Sequence, residues 1–322
     1  MEDFDRELVP YSHDSYFKKA FTDPGRAALF FQEHLPAALV PLVDWATLEL
    51  MPGSFVKQSL KQTHSDLLFS VQAGATPLRL YLLFEHQTTV DGRMPLRLNG
   101  YVHEILRKHE ETHGLPLPPV LPLLLHQGPE RWTVSTCFED LFELPEELRE
   151  ILLPYLPKFR HLLLDLSQYH AADEERDAVN RVVLELMRQL RQKQLAEFFV
   201  WLDRQELPPS DLLIASLLYA WYADSSLDLE GIAHTLKNDS PLKEVTMSIA
   251  ETLIAKGEAQ GEAKGEAIGE ARGKAVGMLR CLQGIMGLAV SSDEDLAGVE
   301  VAELERRYQE LQRQYDEQFK SR

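Results

Sequence analysis

Residues 64–87 read HSDLLFSVQAGATPLRLYLLFEHQ, and the fold turns on this stretch. Ser65–Gln72 and Leu78–His86 are short apolar runs, and Gly74-Ala75-Thr76-Pro77 between them has the composition of a turn. Two antiparallel strands are expected. A turn centred between residues 75 and 76 sets Asp66 directly opposite Glu85. Cross-strand Cβ atoms lie about 4.5–5.5 Å apart, so two like charges there are destabilising unless something offsets them. A divalent cation such as Mg²⁺ would do so, because it is commonly held by one or two carboxylates with water and phosphate oxygens. Gln87, two residues beyond Glu85, projects from the same face, where its amide can donate to a water or a phosphate oxygen. Leu67, Phe69 and Phe84 point to the other side. A one-residue slip of register separates the two acids, and the same letters also fit a surface hairpin carrying scattered charges.

Outward from the hairpin, Thr47–Met51 and Val120–His126 also read as strands. Residues Pro95 to His109 carry Leu96, Leu98, Tyr101, Val102, Ile105 and Leu106 in a helical stripe. Upstream, Tyr16, Phe17, Ala20 and Phe21 repeat at three and four, Asp23-Pro24-Gly25 interrupts, and Ala27 to Leu35 resumes the pattern. That predicts two short helices with a turn between them. The order helices, three strands, helix, strand gives an α/β arrangement, a sheet covered by helices. After Pro129 the chain reads as helical: Arg176–Leu202 places Val179, Val182, Val183, Leu186, Met187 and Leu190 on one broad face, and Asp211–Tyr222 repeats the theme.

Gly257, Gly261, Gly265, Gly269, Gly273 and Gly277 stand four residues apart, a slowly spiralling small-residue strip on any helix. Such a strip lets a second helix approach closely, or it is a weakly helical linker, since each Gly costs about 1 kcal/mol relative to Ala. The tail Glu303–Phe319, with Leu304, Tyr308, Leu311 and Tyr315 at three and four, ends like a coiled coil. Together they predict a homo-oligomer built through the C-terminal helices.

The 322 residues are 44% hydrophobic and 26% charged, the composition of a globular protein rather than a disordered one. Net charge is −18; residues 1–130 hold 11 Lys+Arg against 16 Asp+Glu, a net of −5, so −13 falls on the rest. An acidic chain is poorly suited to tight sequence-independent nucleic-acid binding, which draws on Lys and Arg at phosphates. It is compatible with an enzyme that holds metal ions in carboxylates. Two distant cysteines, Cys137 and Cys281, fit a reducing cytosol. The N-terminus lacks the charge and apolar run of a signal peptide, and no apolar stretch approaches the roughly 20 residues of a membrane span. A cytoplasmic protein is expected. His13, His64, His86 and His126 lack HExxH or CxxC spacing for zinc, and neither a GxSxG elbow nor a GxxxxGK[ST] loop occurs.

The stretches HDSYFKKAFTDPGRAALFFQEHLP, LELMPGSFV, HSDLLFSV, YLLFEHQTT, MPLRLNGYV and PVLPLLLHQG follow one another along roughly residues 10–250. In that order they resemble the recombination-promoting nucleases, also described as putative transposases, of the PD-(D/E)XK superfamily. The Gly-Glu-Ala repeat near the C-terminus is similar to tails in that family. The resemblance implies a metal-dependent DNA endonuclease that promotes recombination, with Asp66 as the first strand carboxylate and Glu85 as the second, together holding Mg²⁺ or Mn²⁺. Gln87 falls where the superfamily usually has Lys; a neutral amide can hydrogen-bond but cannot supply the charge that stabilises a phosphorane-like transition state. Arg97 in MPLRLNGY is a candidate source of that charge, or a solvated helix residue. The superfamily often adds an acid on its first helix, where Asp14 is the positional match, although Asp14 also fits a helix cap. Lys18 is a candidate phosphate contact.

These readings divide the chain into a nuclease domain over 10–130, a helical domain over 131–250 and a repeat-and-helix tail over 251–322. A competing reading keeps the fold without the catalysis, as an interaction or regulatory module that self-associates through its tail.

Overall fold

The computed structural model describes residues 12–52, 67–74, 78–169, 177–224 and 226–319. Asp66 and the tip of the hairpin, Ala75 to Pro77, lie outside the described residues. The first helices are α1 (His13–Phe21) and α2 (Pro24–His34). Ser12 caps α1, its hydroxyl accepting from Ser15 N at 3.1 Å, so Asp14 stands in the first turn and not at the cap. Asp23 caps α2 with Pro24 as its first residue, which is the turn expected from Asp23-Pro24-Gly25.

Five strands form one sheet in the order β1 (Val43–Leu50), β2 (Leu67–Ala73), β3 (Leu78–Gln87), β4 (Val120–His126) and β5 (Leu162–Asp165). β1, β2 and β3 pair antiparallel; β3, β4 and β5 pair parallel. The β2–β3 pairing places Leu67 opposite Phe84 and Ala73 opposite Leu78, the register that a turn centred between residues 75 and 76 imposes. The parallel β3–β4 pair needs a crossover, and α3 (Met94–His113) provides it.

Alternation along β3 gives the sheet two distinct faces. On one, Phe84 meets Phe17, Phe21, Phe30 and Phe31 of α1 and α2, with ring centroids 4.6–5.6 Å apart, and all five are fully buried. Each buried Phe contributes about 1.5–3 kcal/mol over exposure, so this aromatic layer clamps the two helices to the sheet. On the other face, Leu68, Tyr81, Leu83 and Leu124 pack against Met94, Leu98, Tyr101 and Ile105 of α3. The Leu98, Tyr101, Ile105 spacing is the helical stripe anticipated in the sequence.

β5 was not anticipated. His161-Leu162-Leu163-Leu164-Asp165 has no β-branched residue, and Leu favours helix, so local propensity conceals a strand that pairing with β4 creates. Residues beyond 130 therefore complete the sheet before the chain turns helical. Between β4 and β5 lie a 3₁₀ turn, Phe138–Leu141, and α4 (Glu146–Leu152). The later helices are α5 (Ala178–Gln192), α6 (Leu195–Leu202), α7 (Ser210–Ala223) and α8 (Leu229–Thr235). Lys193, at φ 57°, ends α5 and splits the stripe expected over Arg176–Leu202 into two helices.

Contacts divide the chain into two units, residues 1–249 and 250–322. α9 (Pro241–Ile285) runs through the boundary, and α10 (Asp293–Leu296) and α11 (Val301–Phe319) follow. In the second unit Leu304, Tyr308 and Leu311 of α11 pack on Ala275 and Leu279 of α9 and on Leu296. The coiled-coil-like stripe is thus engaged within its own chain. The glycine strip is different: a Cβ added at any of the six glycines from Gly257 to Gly277 meets nothing within 4 Å. Among the described residues no helix is long and apolar enough to cross a membrane.

Candidate active site

Glu85 is fully buried near the carboxyl end of β3, on the α3 face of the sheet. One oxygen, Oε1, accepts from Gln87 Nε2 at 2.7 Å and from Arg97 at 3.2 Å. The other, Oε2, has no hydrogen-bond partner among the described residues. A buried carboxylate oxygen without a donor is costly, and it fits a hard cation that takes oxygen ligands. Burial pushes the Glu85 carboxyl up from 4.5 to about 7; the Gln87 hydrogen bond and the Arg97 charge oppose the rise, and the charges of Asp14 and Asp91 add to it.

Arg97 does not stand out in solvent. Its guanidinium spans from Glu85 to Asp91, with one nitrogen 2.9 Å from Asp91 Oδ2 and the other also donating to the Tyr101 hydroxyl at 3.3 Å. Met94 and Leu98 anchor this turn of α3 in the core, so residue 97 is carried back over the end of β3. Asp14 approaches from α1, its Oδ1 3.4 Å from Nδ1 of His86. Lys18 lies one turn further along α1, half-buried, and makes no ion pair among the described residues. The structure thus brings Glu85, Gln87, Arg97 and Asp14 to one end of the sheet. Asp66 lies outside the described residues, one position beyond the Leu67–Phe84 pair. Among the described residues no three His, Cys, Asp or Glu side chains are grouped to hold a metal ion.

His126, weighed in the sequence only as a zinc ligand, and Asp165, which the sequence did not single out, complete this end of the sheet. Gln87, His126 and Asp165 are in register across the parallel strands β3, β4 and β5. Carboxyl ends of parallel strands are where α/β sheets place their ligands. His126 Nε2 donates to the Glu130 carbonyl at 2.9 Å, and Asp165 accepts from the backbone N–H of Trp132 at 2.8 Å and of Ser167 at 3.0 Å. These two side chains shape the loop after β4. Gly128 belongs to the same construction: a Cβ there would fall 2.3 Å from the His126 ring and 3.0 Å from the Thr88 carbonyl. His126 could have been paired with Gln87 from the sequence had the parallel register been known; Asp165 was concealed with β5.

Residues 11–205 match the family described as "Putative transposase, YhgA-like". Recombination-promoting nuclease RpnC of Escherichia coli K12 is 36% identical over 140 residues, 43% of this chain and 47% of the relative. Recombination-promoting nuclease RpnA of the same strain is 34% identical over 146 residues, 45% of this chain and 50% of the relative. A third relative from that strain, named inactive recombination-promoting nuclease-like protein RpnE, is 32% identical over 156 residues, 48% of this chain and 50% of the relative. The chain spans about half the length of these curated relatives. No solved structure matches it. With more than half of its residues matched, the chain belongs to the YhgA-like family of putative transposases.

Proposed function

We propose that the chain is a divalent-metal-dependent DNA endonuclease of the PD-(D/E)XK type that promotes recombination. The observation that carries this reading is Glu85, buried, held at Oε1 by Gln87 and Arg97, and presenting a donor-free Oε2 at the end of a parallel strand. Asp66 and Glu85 are the carboxylates that would hold Mg²⁺ or Mn²⁺. When bound, the cation lowers the pKa of a water and neutralises charge on the scissile phosphate. The chain's own groups do the rest. Glu85 must ionise to serve, and Arg97 favours that ionisation. Gln87 fixes the Glu85 rotamer with its Nε2, and its amide oxygen is left to orient a water. Arg97 supplies at this site the positive charge that Gln87 lacks. Asp14 adds a third acid from α1, and Lys18 is a phosphate contact on the same helix. DNA is the partner, and a homo-oligomer through the C-terminal helices supplies the second centre that cutting both strands calls for.

The test is cleavage of plasmid DNA with Mg²⁺ or Mn²⁺ by the wild type and by Asp66→Ala. Cleavage lost with Asp66 supports the proposal. A second reading, a nuclease fold acting as an interaction module, is favoured by Gln87 in place of Lys and by a relative named inactive. DNA binding by the wild type without cleavage, unchanged by Asp66→Ala, would decide for it.

A further inference from the structure

A buried chain of hydrogen bonds runs from the residue before Asp14 to the residue after Glu85, and its direction follows from chemistry. Gln127, just past β4, is almost fully buried. Its Nε2 lies 3.0 Å from the Met187 carbonyl of α5 and 2.7 Å from the Tyr219 hydroxyl of α7; its Oε1 lies 2.8 Å from His86 Nε2. A carbonyl only accepts, so the atom facing Met187 is the amide nitrogen, and the oxygen faces His86. His86 therefore carries a hydrogen on Nε2 and turns its Nδ1 edge to Asp14, 3.4 Å away.

Tyr219 accepts from Gln127, so its own hydrogen must go elsewhere. The remaining acceptor, 2.5 Å away, is Nδ1 of His13. His13 therefore accepts at Nδ1 and keeps its own hydrogen on Nε2. Aromatic stacking locks the members in place: Tyr16 lies on Tyr219 at 4.2 Å, and Phe17 lies on His86 at 5.0 Å. Tyr219 thus holds His13, the neighbour of Asp14, while Gln127 holds His86, the neighbour of Glu85. The Gln127 N–H also bonds the Gln87 carbonyl at 2.8 Å.

We propose that Gln127 and Tyr219 are positioning residues that fix the spacing of the Asp14 and Glu85 carboxylates, making α5 and α7 part of the cation-binding apparatus. This rests on the nuclease reading of Glu85. Outer-shell partners of metal ligands typically change metal affinity about 10–100-fold when removed. Gln127 and Tyr219 stand one step further out: they bond His86 and His13, the residues that flank the two acids in the chain.

The experiment is Mn²⁺ titration of the full-length protein, followed by calorimetry and by electron paramagnetic resonance. Tyr219→Phe and Gln127→Met keep shape and remove polarity; each should weaken Mn²⁺ binding about tenfold or more with the circular dichroism spectrum retained. Tyr16→Phe is the control, deleting a hydroxyl in the same stack that bonds Ser216 at 2.8 Å and lies outside the chain; its Mn²⁺ affinity should match the wild type. Wild-type affinity in Tyr219→Phe and Gln127→Met, with binding still abolished by Glu85→Gln, would overturn the inference and leave the nuclease reading standing. A wild type with no Glu85-dependent Mn²⁺ site would overturn both. Nitrogen-15 spectra of the wild-type histidines add a check that needs no variant: His13 should carry its hydrogen on Nε2 with Nδ1 bare, and His86 should carry a hydrogen on Nε2; Nδ1–H in His13 or a bare Nε2 in His86 would break the chain.

Discussion

Arg97 stands 3.2 Å from Glu85 and 2.9 Å from Asp91, one guanidinium joining a fully buried carboxylate to a half-buried one. The cation is itself partly exposed, so the pair is screened and does not cancel the burial penalty on Glu85. Burial raises the carboxyl to about 7 in spite of it. Metal-free protein should therefore lose stability as pH rises from 4.5 through about 7, where the folded state must give up a proton that the unfolded state has already released. Glu85→Gln should remove that loss. Its melting temperature should equal the wild type's near pH 5 and exceed it at pH 8, and Mg²⁺ or Mn²⁺ should raise only the wild type's. Thermal denaturation across this pH range, with and without metal, checks both; parallel pH curves for the two proteins would contradict the account.

Gln87 bonds Glu85 at 2.7 Å, and on the proposed nuclease reading it takes the place of a Lys. Gln87→Lys should retain or raise cleavage, because an ammonium adds charge at the reacting phosphate. Gln87→Ala frees Glu85 Oε1 of a donor and should lower cleavage about 10²-fold. Rates from a plasmid assay at fixed metal concentration separate these outcomes, and three equal rates would make the position structural.

His161 precedes β5 with both ring nitrogens buried and without a hydrogen-bond partner among the described residues. Desolvation holds it down at about 4, so it is neutral in the fold. The unfolded chain takes up a proton near 6.5, which means this contribution is intact above that pH and is lost as pH falls toward 4. His161→Leu should flatten this acid limb and leave stability at pH 7 equal or higher, as measured by urea unfolding at pH 5 and 7. A steeper acid limb in the variant would refute the burial argument.

The glycine strip on α9 is open along its length, whereas the Leu304, Tyr308, Leu311 stripe is occupied by its own chain. Self-association is therefore expected through the strip. Truncation after Ile254 should leave residues 1–254 folded, with a smaller sedimentation coefficient and more nicks relative to double-strand breaks. A full-length monomer at micromolar concentration, with the same nick-to-break ratio after truncation, would leave the strip a linker.

Local pattern alone determined much of this protein. Apolar periodicity marks α1, α2, α3 and the first four strands, since period 3.6 and period 2 are properties of consecutive side chains. The hairpin register is equally local: turn composition between Gly74 and Pro77 suffices to set Leu67 opposite Phe84. The approach of Gln87 to Glu85 follows from the same alternation. Tertiary structure alone decided the rest. Leu162–Asp165 is a strand because β4 offers an unpaired edge, which its leucines cannot announce. Asp14, 72 residues from His86 in sequence, reaches the end of β3 beside it only because aromatic packing clamps α1 to the sheet. The chain from His13 through Tyr219 and Gln127 to His86 joins residues up to 206 apart. Burial, which gives such bonds their strength and raises Glu85, is a property of the assembled core that no stretch of residues carries by itself.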